Sequence, residues 1–314
     1  MILTLTLNPA IDQTLWVDRM TIGAVNRPSA TQLDPAGKGI NVSRMAHRLG
    51  WPTFAFGFLG GDIGNMIQNA LDQEGVHNHF VRIVGQTRIN VTLIDSSSDK
   101  ATSFYGPGPA VTAASLKELD EMIAIWMKVG RVLVLAGSLL PGVPPTAYAR
   151  YIDAARQAGV KTILDADGDS LRLGIEARPD LIKPNVEEAE RLLGRPLKGI
   201  NQIIEGAAEL SARGIHTVII SMGGDGAIAY HAGQAWHIIP PKIHRLSTVG
   251  SGDSLIAGLA VELARSGDLL AGLRLGTAAG AATAMCPGTA LGTIEDVNRL
   301  LPEVKLTPVR AIAA

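Results

Sequence analysis

The sequence predicts an α/β protein, with a central, mainly parallel sheet flanked by helices and a small β-sheet lid beside it. Three observations carry this expectation. Short apolar runs bounded by turn residues alternate with stretches whose apolar residues recur every three to four positions. Several of these helical stretches finish on glycine, which tolerates the left-handed conformation just past a helix end. Two further stretches alternate apolar and polar residues with period two and carry no helix between them.

Taken in order, "MILTLTLN" opens the chain as a strand; the segment lacks the basic n-region of a signal peptide. "QTLWVDRMTIGAVNRPS" is the first period-two stretch. "PAGKGINVSRMAHRLG" is a glycine-rich entry to a helix whose buried stripe is Ile40, Val42, Met45, Ala46 and Leu49. "TFAFGFLG" reads as a strand, and His77 and His79 fall in a polar, solvent-facing loop. "TRINVTLIDSSSDKATSFYG" is the second period-two stretch. The two lid pieces thus span roughly residues 11–30 and 86–106, inserted in one α/β domain covering residues 1–314.

The strands "RVLVLAG", "KTILDAD", "DLIKPN" and "TVIISMGG" follow, interleaved with the helical patterns "YARYIDAARQAG", "VEEAERLLG" and "IIEGAAELSARG". "STVGSGDS" then leads into the buried helix "LIAGLAVELA". Strand and helix alternating in this way imply a parallel sheet with helices on both faces. Its strands are expected to end at Asn8, Gly57, Gly137, Asp165, Asn185 and Gly223. Ligands of open parallel sheets bind beyond the carboxyl ends of the strands, so the chemistry should gather on that edge.

Composition narrows the classes of function. With 28 Lys and Arg against 29 Asp and Glu, the net charge of −1 argues against a broad nucleic-acid surface. The single cysteine excludes an intrachain disulfide framework or a Cys-based zinc site, and Cys286 reads as a packed helix residue. Arg265, Asp268 and Arg274 interrupt the apolar C-terminal runs before they could span a membrane. A cytoplasmic protein with no membrane partner is the expectation.

Familiar motifs are missing. "PAGKGIN" lacks the glycine spacing and the hydroxyl residue of a P-loop, and Leu255 stands where a dinucleotide fingerprint needs its third glycine. No Gly-x-Ser-x-Gly elbow and no His-x-x-x-His pair occurs. What the chain does have is two glycine-rich helix entries. In "STVGSGDS", Gly250, Ser251 and Gly252 expose amides at a helix start, where anions are attracted, while Asp253 puts a carboxylate at the edge of that cradle. In "AGKGIN", Gly37 and Gly39 expose amides, and Lys38 and Asn41 add donors that a simple turn does not require.

Other segments have structural accounts of their own. Asn185 and Glu188 have capping-box spacing, which suffices for both without a metal or nucleotide. "IISMGGDGAI" reads equally as a hairpin turn or a ligand loop. Arg88 and Asn90 share one strand face, and Arg27 lies on the other lid piece; each arginine alone reads as a solvated surface group.

Phosphoryl transfer from ATP to a hydroxyl needs both an anion cradle and an adjacent base. Positioned N–H donors stabilise the charge on the migrating group, and a carboxylate accepts the proton of the attacking hydroxyl. The pair "AGKGINVSRMAHRLG…GFLGG" and "STVGSGDSLIAGLA" resembles the two signatures of the ribokinase-like, phosphofructokinase B-type carbohydrate kinases. "TLNPAID", "TRINV", "LAGSLLPG", "DLIKPNVEEAE" and "ISMGGDGAI" match in order, so the resemblance covers nearly the whole chain.

The resemblance implies a ribokinase-like fold whose β lid is frequently shared across a homodimer. It implies Asp253 as the base and Gly250, Ser251 and Gly252 as the anion hole. Asp12, Gly37, Lys38, Gly39, Asn41 and Ser138 would hold the sugar, with Arg88 and Asn90 reaching in from the lid and Arg27 as a further phosphate contact. Lys183, Asn185, Ser221, Gly223, Asp225 and Gly226 would line the nucleotide side, and Glu188 would act on Mg²⁺ through water. ATP with Mg²⁺ is the implied cofactor, a monovalent cation being left open, and the partners are ATP and a small phosphosugar.

Lys38 and Arg88 suit a substrate that already carries phosphate, since free sugars need no cations. Within the family, the resemblance of "TLNPAID", "AGKGIN" and "TRINV" implies fructose 1-phosphate first, with tagatose 6-phosphate and fructose 6-phosphate as alternatives. Ala36 in place of a third glycine matches the enzymes of the first sugar, whereas Arg27 matches those of the other two. An inactive sugar-phosphate sensor is the alternative from a different class.

Overall fold

The computed structural model describes residues 1–98 and 100–309. The chain begins with β1 (Ile2–Thr6), β2 (Ala10–Val17) and β3 (Ala30–Ala36). It continues through α1 (Lys38–Arg48), β4 (Thr53–Gly60), α2 (Gly61–Gln73), β5 (Asn78–Ile83), β6 (Arg88–Asp95) and β7 (Lys100–Tyr105). Next come α3 (Ala113–Trp126), β8 (Val132–Ala136), α4 (Ala147–Gln157), β9 (Lys161–Asp165) and α5 (Gly168–Glu176). Then follow β10 (Leu181–Ile182), α6 (Val186–Leu193), α7 (Gly199–Ala212), β11 (Thr217–Ser221), β12 (Ala227–His231) and β13 (Gln234–Ile239). The last elements are α8 (Ser251–Arg265), α9 (Leu269–Ala284), α10 (Ile294–Leu300) and β14 (Lys305–Val309).

A ten-stranded sheet has the order β14-β13-β12-β11-β10-β9-β8-β1-β4-β5. Neighbours from β5 to β11 are parallel, and β12, β13 and β14 extend the sheet antiparallel. Alternate strand residues feed two cores. Leu3, Leu5, Leu133 and Leu135 pack with α3, α4, α5 and α7, whereas Ile2, Val132 and Val134 pack with α1, α8 and α9. Burial on both faces is why these strands read as continuous apolar runs.

A separate sheet has the order β3-β2-β6-β7. It uses both period-two stretches but takes β3 from Ala30–Ala36, beyond the segment expected to end near residue 30. Asp34 and Pro35 hid this strand; proline is tolerated because β3 is an edge.

Other expectations need correction. Gly57 does not end β4, which runs to Gly60; a Cβ at Gly57 would meet Thr6 O at 2.0 Å, so glycine there permits close approach of β1 and β4. His79 lies on edge strand β5 rather than in a loop, although both His77 and His79 face solvent. "DLIKPN" yields only the two-residue β10, because Pro184 has no N–H to continue the ladder. Helix α9 stops at Ala284, so half-buried Cys286 sits in the following turn with Sγ 3.6 Å from Ala282 O. Among the described residues, no helix is long and apolar enough to cross a membrane.

Close packing of α8 on α9 sets the position of the glycine-rich first turn of α8. Added Cβ atoms at Gly258 and Gly276 would meet Gly276 N at 2.5 Å and Leu255 O at 2.2 Å. Only glycine allows the two backbones so close. Ser254 and Thr283 join their hydroxyls at 2.8 Å across the same contact, near the first turn of α8.

Candidate active site

The first turn of α8 grows out of Gly250, whose φ of 77° lies in the left-handed region that favours glycine. No side chain caps this helix. Ser251 N bonds Thr248 O at 3.3 Å, while the N–H groups of Gly250, Gly252 and Asp253 have no hydrogen-bond partner among the described residues. Uncapped amides at a helix start are an anion site.

Asp253 is buried beside them, its Oδ2 accepting a 2.8 Å hydrogen bond from Asn41 Nδ2 on α1. Burial, reinforced by the negative charge of Asp165, pushes the Asp253 carboxyl up to about 6; Lys38, Asn41 and Lys183 pull the other way.

Asp165 ends β9, only 2% exposed, with Lys38 Nζ at 3.3 Å and Lys183 Nζ at 3.4 Å. Burial alone would raise its pKa, but the two ammonium groups outweigh burial and hold it below the usual carboxylate range. Lys38 is driven upward by Asp165, with Asp253 and Glu188 adding to the effect against desolvation. A Cβ at Gly252 would lie 3.4 Å from Lys183 Nζ, so this lysine borders the amide cradle. Sequence reasoning noted Asp165 only as a strand end. Its acidic type at the carboxyl edge of a parallel sheet was the available signal.

The capping box is present in full: Asn185 Oδ1 accepts from Glu188 N, and Glu188 Oε2 accepts from Asn185 N, both at 2.8 Å. Glu188 is buried, which raises its pKa despite the backbone bond. Asn185 also bridges Ser221 at the end of β11. Beyond it, Gly223–Asp225 form a short 3₁₀ turn that closes a β11–β12 hairpin, the hairpin reading of "IISMGGDGAI". Gly226 has φ 90°, and a Cβ there would meet Ile238 O at 1.9 Å, whereas Gly223 and Gly224 face open space. Gly37 and Gly39 have packing reasons too, since added Cβ atoms would strike Thr6 side-chain atoms at 2.6 and 2.5 Å.

A second group lies on the small sheet. Asp12 and Asn90 are register partners on β2 and β6, and Asn90 Nδ2 donates to Asp12 Oδ1 at 2.8 Å. Burial raises the Asp12 pKa against the effect of this bond and of Arg88. Arg88 donates to Gly106 O at 2.9 Å and Asn8 O at 3.0 Å, and Asn8 Nδ2 donates to Ser138 Oγ at 3.1 Å. Arg88, Asn8 and Ser138 line a cavity of about 530 Å³. Asn8 is the other residue missed as a site candidate. Arg27 stands apart, exposed in the connection between β2 and β3.

Two charge environments therefore meet the carboxyl edge of the large sheet: a carboxylate–lysine cluster around the α8 amides, and an arginine-lined cavity beside the small sheet. Residues 5–296 match the model of the pfkB family carbohydrate kinases. The chain belongs to the pfkB family. It is 36% identical over 306 residues to a 1-phosphofructokinase of Vibrio cholerae, covering 98% of this chain and 96% of that protein. A 1-phosphofructokinase of Bacillus subtilis is 35% identical over 307 residues, covering 98% and 99%. The crystal structure of phosphofructokinase-2 from Escherichia coli in complex with substrates and products superposes with a TM-score of 0.90 at 29% identity, covering 96% and 98%. As a pfkB carbohydrate kinase with a large helix-flanked sheet and a separate small one, the protein has the ribokinase-like fold that the motifs implied.

Proposed function

We propose that this pfkB kinase transfers the γ-phosphoryl group of ATP to fructose 1-phosphate, giving fructose 1,6-bisphosphate. The observation that carries the chemistry is the buried Asp253 carboxylate beside unpartnered amides on the first turn of α8. Asp253, oriented by Asn41, takes the proton of the acceptor hydroxyl, and a pKa near 6 keeps it ionised yet basic at neutral pH. The amides of Gly250, Gly252 and Asp253 receive the equatorial oxygens of the migrating group, whereas the expected Ser251 amide is taken by Thr248 O at 3.3 Å. The choice of sugar rests on the relatives named 1-phosphofructokinase along nearly the full chain.

Asp12, Asn90 and Asn41 hold the sugar hydroxyls, with Gly37 and Gly39 fixing the start of α1 beside it. Arg88 and Ser138, at the cavity under the lid, hold the phosphate the substrate brings. Lys38 is assigned to the migrating phosphoryl group rather than to that phosphate, because its ammonium pairs with Asp165 in the cluster that contains Asp253 and Lys183. Lys183, Asn185, Ser221, Gly223, Asp225 and Gly226 line the nucleotide side, the open space beyond Gly223 leaving room for it.

Mg²⁺ suits this donor set. Among the described residues, no group of three or more His, Cys, Asp or Glu could hold a metal by itself. Mg²⁺ keeps several waters and binds through one or two carboxylates plus substrate phosphates, so it needs no such cage. Glu188, with one oxygen held by Asn185 N, and Asp165 would hold it through water, where it neutralises phosphate charge.

Exposed apolar residues on the outer face of the small sheet, Leu33, Ile89 and Phe104, support a homodimer formed through the lid. In that assembly the exposed Arg27 is the remaining candidate phosphate contact.

Coupled ADP release with fructose 1-phosphate, tagatose 6-phosphate and fructose 6-phosphate tests the assignment. The highest kcat/KM is expected for fructose 1-phosphate, and equal or better use of another sugar overturns it. Phosphosugar binding without turnover would favour a sensor.

A further inference from the structure

Tyr105 ends β7 with 68% of its surface exposed, an unusual state for a large aromatic group. Its cross-strand partner is Asn90, so its side chain emerges on the same face of the small sheet as Asn90 and Asp12. Arg88 lies two residues before Asn90 and shares that face. Tyr105, Arg88, Asn8 and Ser138 all line the 530 Å³ cavity, whose remaining wall is Gly106 and Pro107 beside Tyr105 and, opposite, the apolar run Leu139 to Val143 with Pro145.

Two of the lining residues, Arg88 and Asn8, keep hydrogen-bonding capacity that no protein group uses. Arg88 Nε is buried with no partner, as is Asn8 Oδ1. The bond from Arg88 Nη1 to Gly106 O ties the arginine to the backbone immediately after Tyr105. No residue of the apolar wall offers a side-chain donor. A phosphate seated on Arg88 and Ser138 would be covered on the wall side by carbon and on the lid side by the Tyr105 ring and hydroxyl.

We propose that Tyr105 is a specificity-determining residue that donates its phenolic hydrogen to the phosphate already carried by the sugar, completing a subsite with Arg88 and Ser138. The inference rests on the phosphosugar kinase reading and adds the residue that selects a phosphomonoester over a free hydroxymethyl group. A neutral phenol suits this place, because it donates to the dianion without the desolvation cost of a second charge. Its exposure matches a group whose partner arrives with the substrate.

Tyr105→Phe removes the hydroxyl alone, at a surface position where folding is unaffected. KM for fructose 1-phosphate is expected to rise about tenfold, the order of one hydrogen bond to a charged group, with kcat and the KM for ATP within about twofold. Tyr105→Ala should lose at least as much. An unchanged sugar KM in Tyr105→Phe, or an equal rise in the KM for ATP, overturns the role of Tyr105 while leaving the kinase reading intact. Absence of phosphosugar turnover in the wild type overturns the kinase reading and this inference with it.

Discussion

Asp253 sits where the fold opposes its ionised form, and both activity and stability register that conflict. Its folded pKa of about 6 exceeds the ordinary 3.8, so the folded state binds its proton more readily than the unfolded chain. Below about pH 4 both states are protonated; as pH rises through the window from about 4 to 6 this residue's contribution to stability declines. The proposed role as base runs the opposite way, since a base must be deprotonated, and kcat/KM should fall about tenfold per pH unit below about 6. Asp253→Asn is therefore expected to lower kcat by roughly 10²–10⁴-fold. It should also raise Tm at pH 7.5 by on the order of a few degrees, a gain that shrinks toward pH 4. Steady-state kinetics and thermal melts at the two pH values check both. A second pair of variants separates the two charge environments. Lys38→Ala should depress kcat by about 10²-fold with a smaller effect on sugar KM, whereas Arg88→Ala should chiefly raise the sugar KM. The reverse split would return Lys38 to the sugar's own phosphate.

At the scale of elements, the α8–α9 contact places the first turn of α8. Gly276 has the Leu255 carbonyl 2.2 Å from where a Cβ would sit, and Gly280 has Ser251 O at 2.8 Å. Ser251 is the first residue of α8, so the spacing of these helices is transmitted directly to the amide cradle. Gly276→Ala is expected to destabilise the protein by about 1–3 kcal/mol through overpacking. It should also lower kcat, because α8 must move to admit the methyl group; melting and turnover measured on the same preparation decide this. Unchanged kcat in a destabilised variant would show that the cradle is positioned by its own loop. Local rules account well for α8 and α6. Gly250 in the left-handed region and the reciprocal Asn185–Glu188 bonds follow from short-range spacing. They account poorly for β3 and β5, edge strands whose weak alternation is stabilised by pairing with β2 and β4 rather than by propensity.

For the whole molecule, the small sheet has two unlike faces. One face presents Asp12, Asn90 and Tyr105 toward the cavity side, and the other leaves Leu33, Ile89 and Phe104 exposed. An apolar outer face is stable in water when a second copy covers it. Phe104→Asp is expected to convert a dimer to a monomer in sedimentation experiments and to raise the sugar KM, because the lid loses its support. A wild-type protein that sediments as a monomer, or a Phe104→Asp variant that remains dimeric, would place the interface elsewhere.

The parallel α/β body, the two glycine-rich helix entries and the carboxylate of Asp253 were legible in the chain alone. Each depends on residues within a few positions of one another, where periodicity, caps and turn chemistry act. Asp165 was not legible as a site residue, because its state is decided by Lys38, 127 residues away, and by Lys183 on a different strand end. The Asn41–Asp253 bond joins groups 212 residues apart. The cavity shared by Asn8, Arg88, Tyr105 and Ser138 draws on four separate segments. Burial and Coulomb interaction fall off with distance in space, not along the chain, so only the folded arrangement could decide which charges meet and what each carboxyl's affinity for protons becomes.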